Sequence, residues 1–132
     1  MKYLLDTDWI INLLAGKKDA EEHIQHLDPE EIAISLATVA EVFESAFQYA
    51  NPEAHIHTFR SFFRHFQLLN LTLPIVEKFA EIRSLLRRRG ELISDFDILI
   101  AATALHHDLT VLTYNKRHFK RIPDLKLYPP QA

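Results

Sequence analysis

The sequence predicts an α/β fold with a central, mainly parallel sheet of four or five strands and helices covering both faces. Short apolar runs alternate with stretches of helical period along the whole chain. That alternation builds βα units, which stack their strands in parallel. The runs are continuously apolar rather than alternating, as strands buried on both faces require. With roughly 100–200 residues to a domain, the 132 residues make one domain spanning 1–132.

The first run, Lys2–Leu5, is a buried strand, and Thr7–Ala15 is a helix closed by Gly16. Asp19–Leu27 is a second short helix, stopped by Asp28-Pro29. Ile32–Ser35 is the second strand. Thr38–Ala50 repeats Val39, Val42, Phe43, Ala46, Phe47 and Ala50 at helical spacing. Pro52 opens a helix to about Gln67 with a stripe of Phe59, Phe62, Phe63 and Phe66. Leu68–Leu71 is a short strand. Thr72 and Pro74 then start a helix that ends at Arg87–Arg89 and Gly90, with cations and glycine where a helix C-terminus favours them. Ser94 opens a helix to about His107 that is apolar around its circumference and therefore buried. Leu109–Thr113 is a strand, Lys116–Phe119 a helical turn and Lys126–Tyr128 an edge strand, with residues 129–132 a flexible tail.

Composition excludes several chemistries. The chain has no Cys, so disulfides, thiolate metal sites and Cys nucleophiles are out. Its only glycines, Gly16 and Gly90, cannot build a dinucleotide fingerprint, a P-loop or a nucleophile elbow. No uncharged stretch approaches the ~18 residues of a membrane span, and Asp6 and Asp8 interrupt the N-terminal apolar run where a signal peptide would need it intact. The expectation is a soluble, cytoplasmic protein without a membrane partner. A net charge of −3 gives no overall attraction to nucleic acid, so any such contact needs a local basic patch.

Sites on parallel sheets form outside the carboxyl ends of the strands. The first strand runs into Asp6-Thr7-Asp8, and the second leads to a helix carrying Glu41. The helix from Ser94 carries Asp95 and Asp97 in its first turn, and the strand at Leu109 ends in Thr113-Tyr114-Asn115. Four distant segments thus bring acids or an amide to one edge. Clustered carboxylates resist ionisation unless a cation joins them. An oxygen-only donor set favours Mg²⁺ or Mn²⁺ over zinc. Each acid taken singly also fits a helix cap, since Thr38–Glu41 and Ser94–Asp97 have capping-box spacing.

Leu4-Leu5-Asp6-Thr7-Asp8, Thr38-Val39-Ala40-Glu41-Val42, the run Asp95–Ala104 and Thr113-Tyr114-Asn115 with Phe119 resemble, in order, the four motifs of the PIN domain. The chain looks most like VapC-type toxins of bacterial toxin–antitoxin pairs. The resemblance implies a three-layer PIN-like fold and a Mg²⁺- or Mn²⁺-dependent endoribonuclease. It implies that Asp6, Glu41 and Asp97 bind the metal within one ion's reach. Asn115 completes the catalytic set, and Thr7, Asp95 and Thr113 support it. It further implies an RNA substrate, a small VapB-like antitoxin, a homodimer and a larger complex with that antitoxin.

Lys116, Arg117, Lys120 and Arg121 follow Asn115 and are candidates for holding RNA phosphates. Phe43, Phe47, Phe59, Phe62, Phe63 and Phe66 are either core or a groove for a partner helix. The histidines at 55, 57, 106 and 107 lack zinc spacing and read as surface or helix-end residues. Two other functions compete. A phosphatase of the haloacid dehalogenase kind would use Asp6-Thr7-Asp8 as nucleophile and acid. However, Trp9 stands where that family favours Thr or Val, and no catalytic Lys follows a later strand. A non-enzymatic phosphoacceptor or binding module needs an acceptor Asp after a central strand, where Thr72 and Leu73 stand instead.

Overall fold

The computed structural model describes residues 1–128; the tail expected at 129–132 lies outside the described residues. In chain order the elements are β1 (Tyr3–Leu5), α1 (Thr7–Leu14), α2 (Lys18–Gln25), β2 (Ile32–Ser35), α3 (Leu36–Ala46), α4 (Pro52–Phe63) and β3 (Gln67–Leu69). They continue with α5 (Leu73–Arg88), α6 (Asp95–His107), β4 (Thr110–Leu112), α7 (Lys116–Phe119) and β5 (Lys126–Tyr128). A short 3-10 turn, Pro29–Glu31, precedes β2. The strands form one sheet in the order β3-β2-β1-β4-β5, and every pairing is parallel.

The sheet separates two cores because successive strand residues point to opposite faces. Leu4, Ala33 and Val111 face one core with Ile82 and Leu86 of α5 and Ile98 and Ile100 of α6. Leu5, Ile32, Ile34 and Leu112 face the other, with Trp9 and Ile10 of α1, Val42 of α3 and Phe59 and Phe63 of α4. Helix α6 is the most enclosed: Ile98, Ile100, Ala101, Ala102, Thr103 and Ala104 are all buried. Its run of alanines lets α5 and α3 pack against it from two sides.

Several boundaries differ from the sequence reading. Helix α3 starts at Leu36, because Ser35 Oγ accepts the Ala37 N–H at 3.1 Å. Thr38 is therefore buried inside the helix and is not its cap. The helix stops at Ala46, since Asn51 Oδ1 accepts the Ala54 N–H to begin α4, leaving residues 47–50 as a turn. Helix α4 ends at Phe63, and β3 begins at the polar Gln67. Apolar periodicity carries through that turn and hides the break.

The aromatic stripe divides. Phe59 and Phe63 are buried in the core, Phe63 with one edge on the groove described next. Phe43, Phe62 and Phe66 are half-buried, and Phe47 is 67% exposed. Phe43, Phe63 and Phe66 line a groove of about 390 Å³ with Val39 and Leu68, and Arg60 and Arg64 stand beside it.

Because Ile100 is fully enclosed, Ile100→Ala should lower unfolding free energy by about 2–5 kcal/mol. The same truncation at the exposed Leu73 should stay within about 0.5 kcal/mol. Urea unfolding of the two variants measures both.

Candidate active site at the carboxyl edge of the sheet

The site begins with strand register. Leu5 pairs with Leu112, so the residues that follow, Asp6 and Thr113, leave the sheet side by side. The Asp6 N–H donates to the Leu112 carbonyl at 2.9 Å. Both Asp6 oxygens are used: Oδ1 accepts the Thr7 N–H at 2.8 Å, capping α1, and Oδ2 accepts the Thr113 hydroxyl at 2.6 Å. Asp6 therefore fills the capping role and the site role at once, and it is only 4% exposed.

Asp8 lies beside it. Its Oδ2 accepts the Tyr114 N–H at 3.1 Å and lies 3.4 Å from the Thr113 hydroxyl. Its Oδ1 is buried with no hydrogen-bond partner among the described residues. Glu41, one turn into α3, is half-buried, and its Oε1 accepts the Thr7 hydroxyl at 2.5 Å. Asp97 sits in the first turn of α6, where its N–H donates to Ser94 Oγ at 3.2 Å.

The electrostatics show how crowded this edge is. Burial and then the charge of Asp8 push Asp6 up to about 8; Asp97 adds to the rise, against the Thr113 and Thr7 hydrogen bonds. Burial raises Asp8 despite the Tyr114 N–H. Burial also raises Glu41, with the charges of Asp97, Glu44 and Asp8 adding to it. Asp97 is raised by burial as well, while Ser94 and His118 pull it down.

As placed, no three His, Asp or Glu side chains among the described residues converge as a finished metal site. Asp6, Glu41 and Asp97, expected within one ion's reach, are thus neighbours without a formed ligand shell. One oxygen of Asp6 accepts the Thr113 hydroxyl and one of Glu41 accepts the Thr7 hydroxyl. The donor chemistry nevertheless fits a hard divalent cation: the donors are all oxygen, each of the four acids is raised, and Asp8 keeps a buried acceptor unused.

Asp95, expected to support the site, pairs with a different helix. Arg83 Nε donates to its Oδ1 at 2.7 Å and the side chain is 60% exposed, so Asp95 ties α6 to α5. The Asn115 N–H donates to Thr113 Oγ1 at 2.9 Å, but its side-chain amide lies 2.7 Å from His118 Nδ1 and contacts no carboxylate. His118 went unremarked in the sequence; its spacing of three from Asn115, one helical turn, is the signal that could have found it. Asp8 was legible as a strand-end acid, yet the family resemblance does not assign it a role. Of the basic residues, Lys116 borders the same edge beside Thr113. Arg117 and Lys120 are exposed, and Arg121 donates to the Glu91 carbonyl at 3.2 Å.

The PIN domain family model matches residues 3–125. The chain belongs to the PIN-domain family. It is 30% identical over 128 residues to ribonuclease VapC1 of Haemophilus influenzae strain R2866, covering 96% of each. It is 28% identical over 127 residues to the tRNA(fMet)-specific endonuclease VapC of Salmonella typhimurium, again covering 96% of each. A solved structure of DNA-bound VapBC from Salmonella typhimurium superposes with a TM-score of 0.87 at 26% identity, covering 96% of both chains. All four motif segments of this PIN domain reach the carboxyl edge of its sheet, although Asp95 turns away from the acid cluster there.

The raised Asp6 has a consequence for stability. The folded chain holds its proton up to about pH 8, whereas an unfolded Asp releases it near 3.8. The contribution of Asp6 to folding is therefore most favourable below pH ~4 and is lost as pH rises toward 8. In EDTA, the thermal unfolding midpoint should fall across that window, and Asp6→Asn should flatten the fall.

Proposed function

We propose that this chain is a Mg²⁺- or Mn²⁺-dependent endoribonuclease, the toxin of a type II toxin–antitoxin pair, held inactive by a small cognate antitoxin. The observation that carries the reading is the group of withdrawn acids at one sheet edge, Asp6 buried and Asp8, Glu41 and Asp97 half-buried, in a PIN domain. The names of its relatives support ribonuclease chemistry and a VapBC assembly.

Asp6, Glu41 and Asp97, with Asp8 beside them, would hold the ion. A bound Mg²⁺ or Mn²⁺ supplies charge for the phosphodiester and acidity for an attacking water. Thr113 and Thr7 fix the Asp6 and Glu41 carboxylates by donating hydroxyl protons to them. Lys116, at the rim, is placed for a flanking phosphate. Direct attack by Asp6, as a phosphatase would need, is disfavoured because Asp6 is buried and both its oxygens already accept hydrogen bonds.

The antitoxin would lay an apolar segment in the groove of Phe43, Phe66 and Leu68, with acidic residues meeting Arg60 and Arg64. An Arg of the partner is suited to neutralise the carboxylates. Homodimerisation and assembly with the antitoxin into a larger complex belong to the same reading, as do the cytoplasm and a single domain. No helix among the described residues is long and apolar enough to cross a membrane.

Purified chain incubated with initiator tRNA and with total RNA should cleave in Mg²⁺ or Mn²⁺ and not in EDTA. Asp6→Asn and Asp97→Asn should abolish cleavage with the fold intact by circular dichroism. Thr113→Val should lower it by about 10–100-fold. Hydrolysis of small phosphomonoesters without cleavage of RNA would contradict the reading. Co-expression with the neighbouring reading frame should yield a complex in which cleavage is suppressed.

A further inference from the structure

We propose that Tyr114 is a preformed stacking platform for one unpaired nucleobase flanking the scissile phosphate. The proposal rests on the ribonuclease reading and names the substrate feature that the site grips. Tyr114 is 43% exposed, although it is a large aromatic residue next to a buried site. Its ring lies nearly parallel to that of Trp9, with centroids 4.5 Å apart and planes 12° from parallel. Trp9 is only 3% exposed, so Tyr114 is the ring of the stacked pair that is open to solvent.

The ring is held at both ends. The Tyr114 N–H donates to Asp8 Oδ2 at 3.1 Å, and its hydroxyl donates to Asp19 Oδ2 at 3.3 Å. An aromatic fixed in this way loses little freedom when a base covers it. Its position in the site follows from sequence: Tyr114 succeeds Thr113, whose hydroxyl holds Asp6. A base on this ring would therefore sit beside the phosphate that the acid cluster engages.

The adjoining cleft has a volume of about 180 Å³, on the scale of one base rather than a base pair. Its rim carries Lys116, Asp19, His23 and Tyr128, which places a cation for backbone phosphate beside an aromatic surface. Sequence-tolerant recognition of single strands uses that combination. Specific RNA recognition also favours unstacked bases in loops over paired ones. The indole N–H of Trp9 is buried without an acceptor among the described residues. A Phe there would avoid that cost, and the wider indole is what backs the tyrosine face.

The test is fluorescence anisotropy of the full chain with a labelled oligoadenylate and with an abasic backbone of equal length, both in Ca²⁺. Cleavage of RNA in Mg²⁺ or Mn²⁺ is measured in parallel. The wild-type chain should bind the oligoadenylate at least about tenfold tighter than the abasic strand. Tyr114→Ala should lose most of that preference, and Tyr114→Phe should keep it. In cleavage, Tyr114→Ala should raise KM by a similar factor with kcat little changed. Equal binding of the two strands by wild type, or a full preference in Tyr114→Ala, overturns the platform. So does an unchanged RNA preference in Tyr114→Ala with loss of self-association or antitoxin capture, which assigns the ring to a protein interface. Base-dependent binding that depends on Tyr114, without cleavage by wild type, supports the platform and overturns the ribonuclease reading instead.

Discussion

Burial of four acids, Asp6, Asp8, Glu41 and Asp97, at one sheet edge is the constraint around which this molecule is arranged, with repulsion from neighbouring acids adding to it at Asp6 and Glu41. Each acid is partly or wholly withdrawn from water, and each is harder to ionise than in solvent. The fold holds them close by hydroxyl and backbone donors, which soften the repulsion without removing it. The proposed divalent ion, or a basic side chain from a partner, would relieve the cost that remains. Enclosing α6 in alanine and isoleucine allows an acid-bearing helix start to be brought to the sheet edge.

Parallel pairing is what makes the convergence possible. Every strand ends at the same edge, so chain segments a hundred residues apart can share one site. The pairing of Leu5 with Leu112 fixes Asp6 against Thr113, and the next two residues, Tyr114 and Asn115, inherit that placement. Asp8 then receives the Tyr114 N–H, and Asn115 closes back on Thr113. The site depends on the β1–β4 register more than on any loop of its own.

Most of this could be read from the sequence for a physical reason. Buried parallel strands are continuous apolar runs, and the polar residues that end them mark the active edge. Lys126–Tyr128 lies between Pro123 and Pro129, and Ile32–Ser35 follows Asp28-Pro29, so their bounds in the sequence and in the structure agree. The boundaries that shifted did so where apolar periodicity outlasts the element, as at Phe66 beyond the end of α4. Side-chain partners were less legible. Asp95 and Asp97 are neighbours in one helical turn, yet Arg83 on α5 claims the first and leaves the second to the site. The stack of Tyr114 on Trp9 joins residues more than a hundred positions apart and has no local signature.

Calorimetric titration of Mg²⁺ or Mn²⁺ into the metal-free chain near pH 7, repeated in buffers of different ionisation enthalpy, tests the central claim most directly. If the carboxylates form a cation receptor, binding must displace the proton held by Asp6. The account predicts saturable binding with net proton release, and loss of that release in Asp6→Asn. Absence of binding, or binding of equal strength with no proton release in either chain, would contradict it.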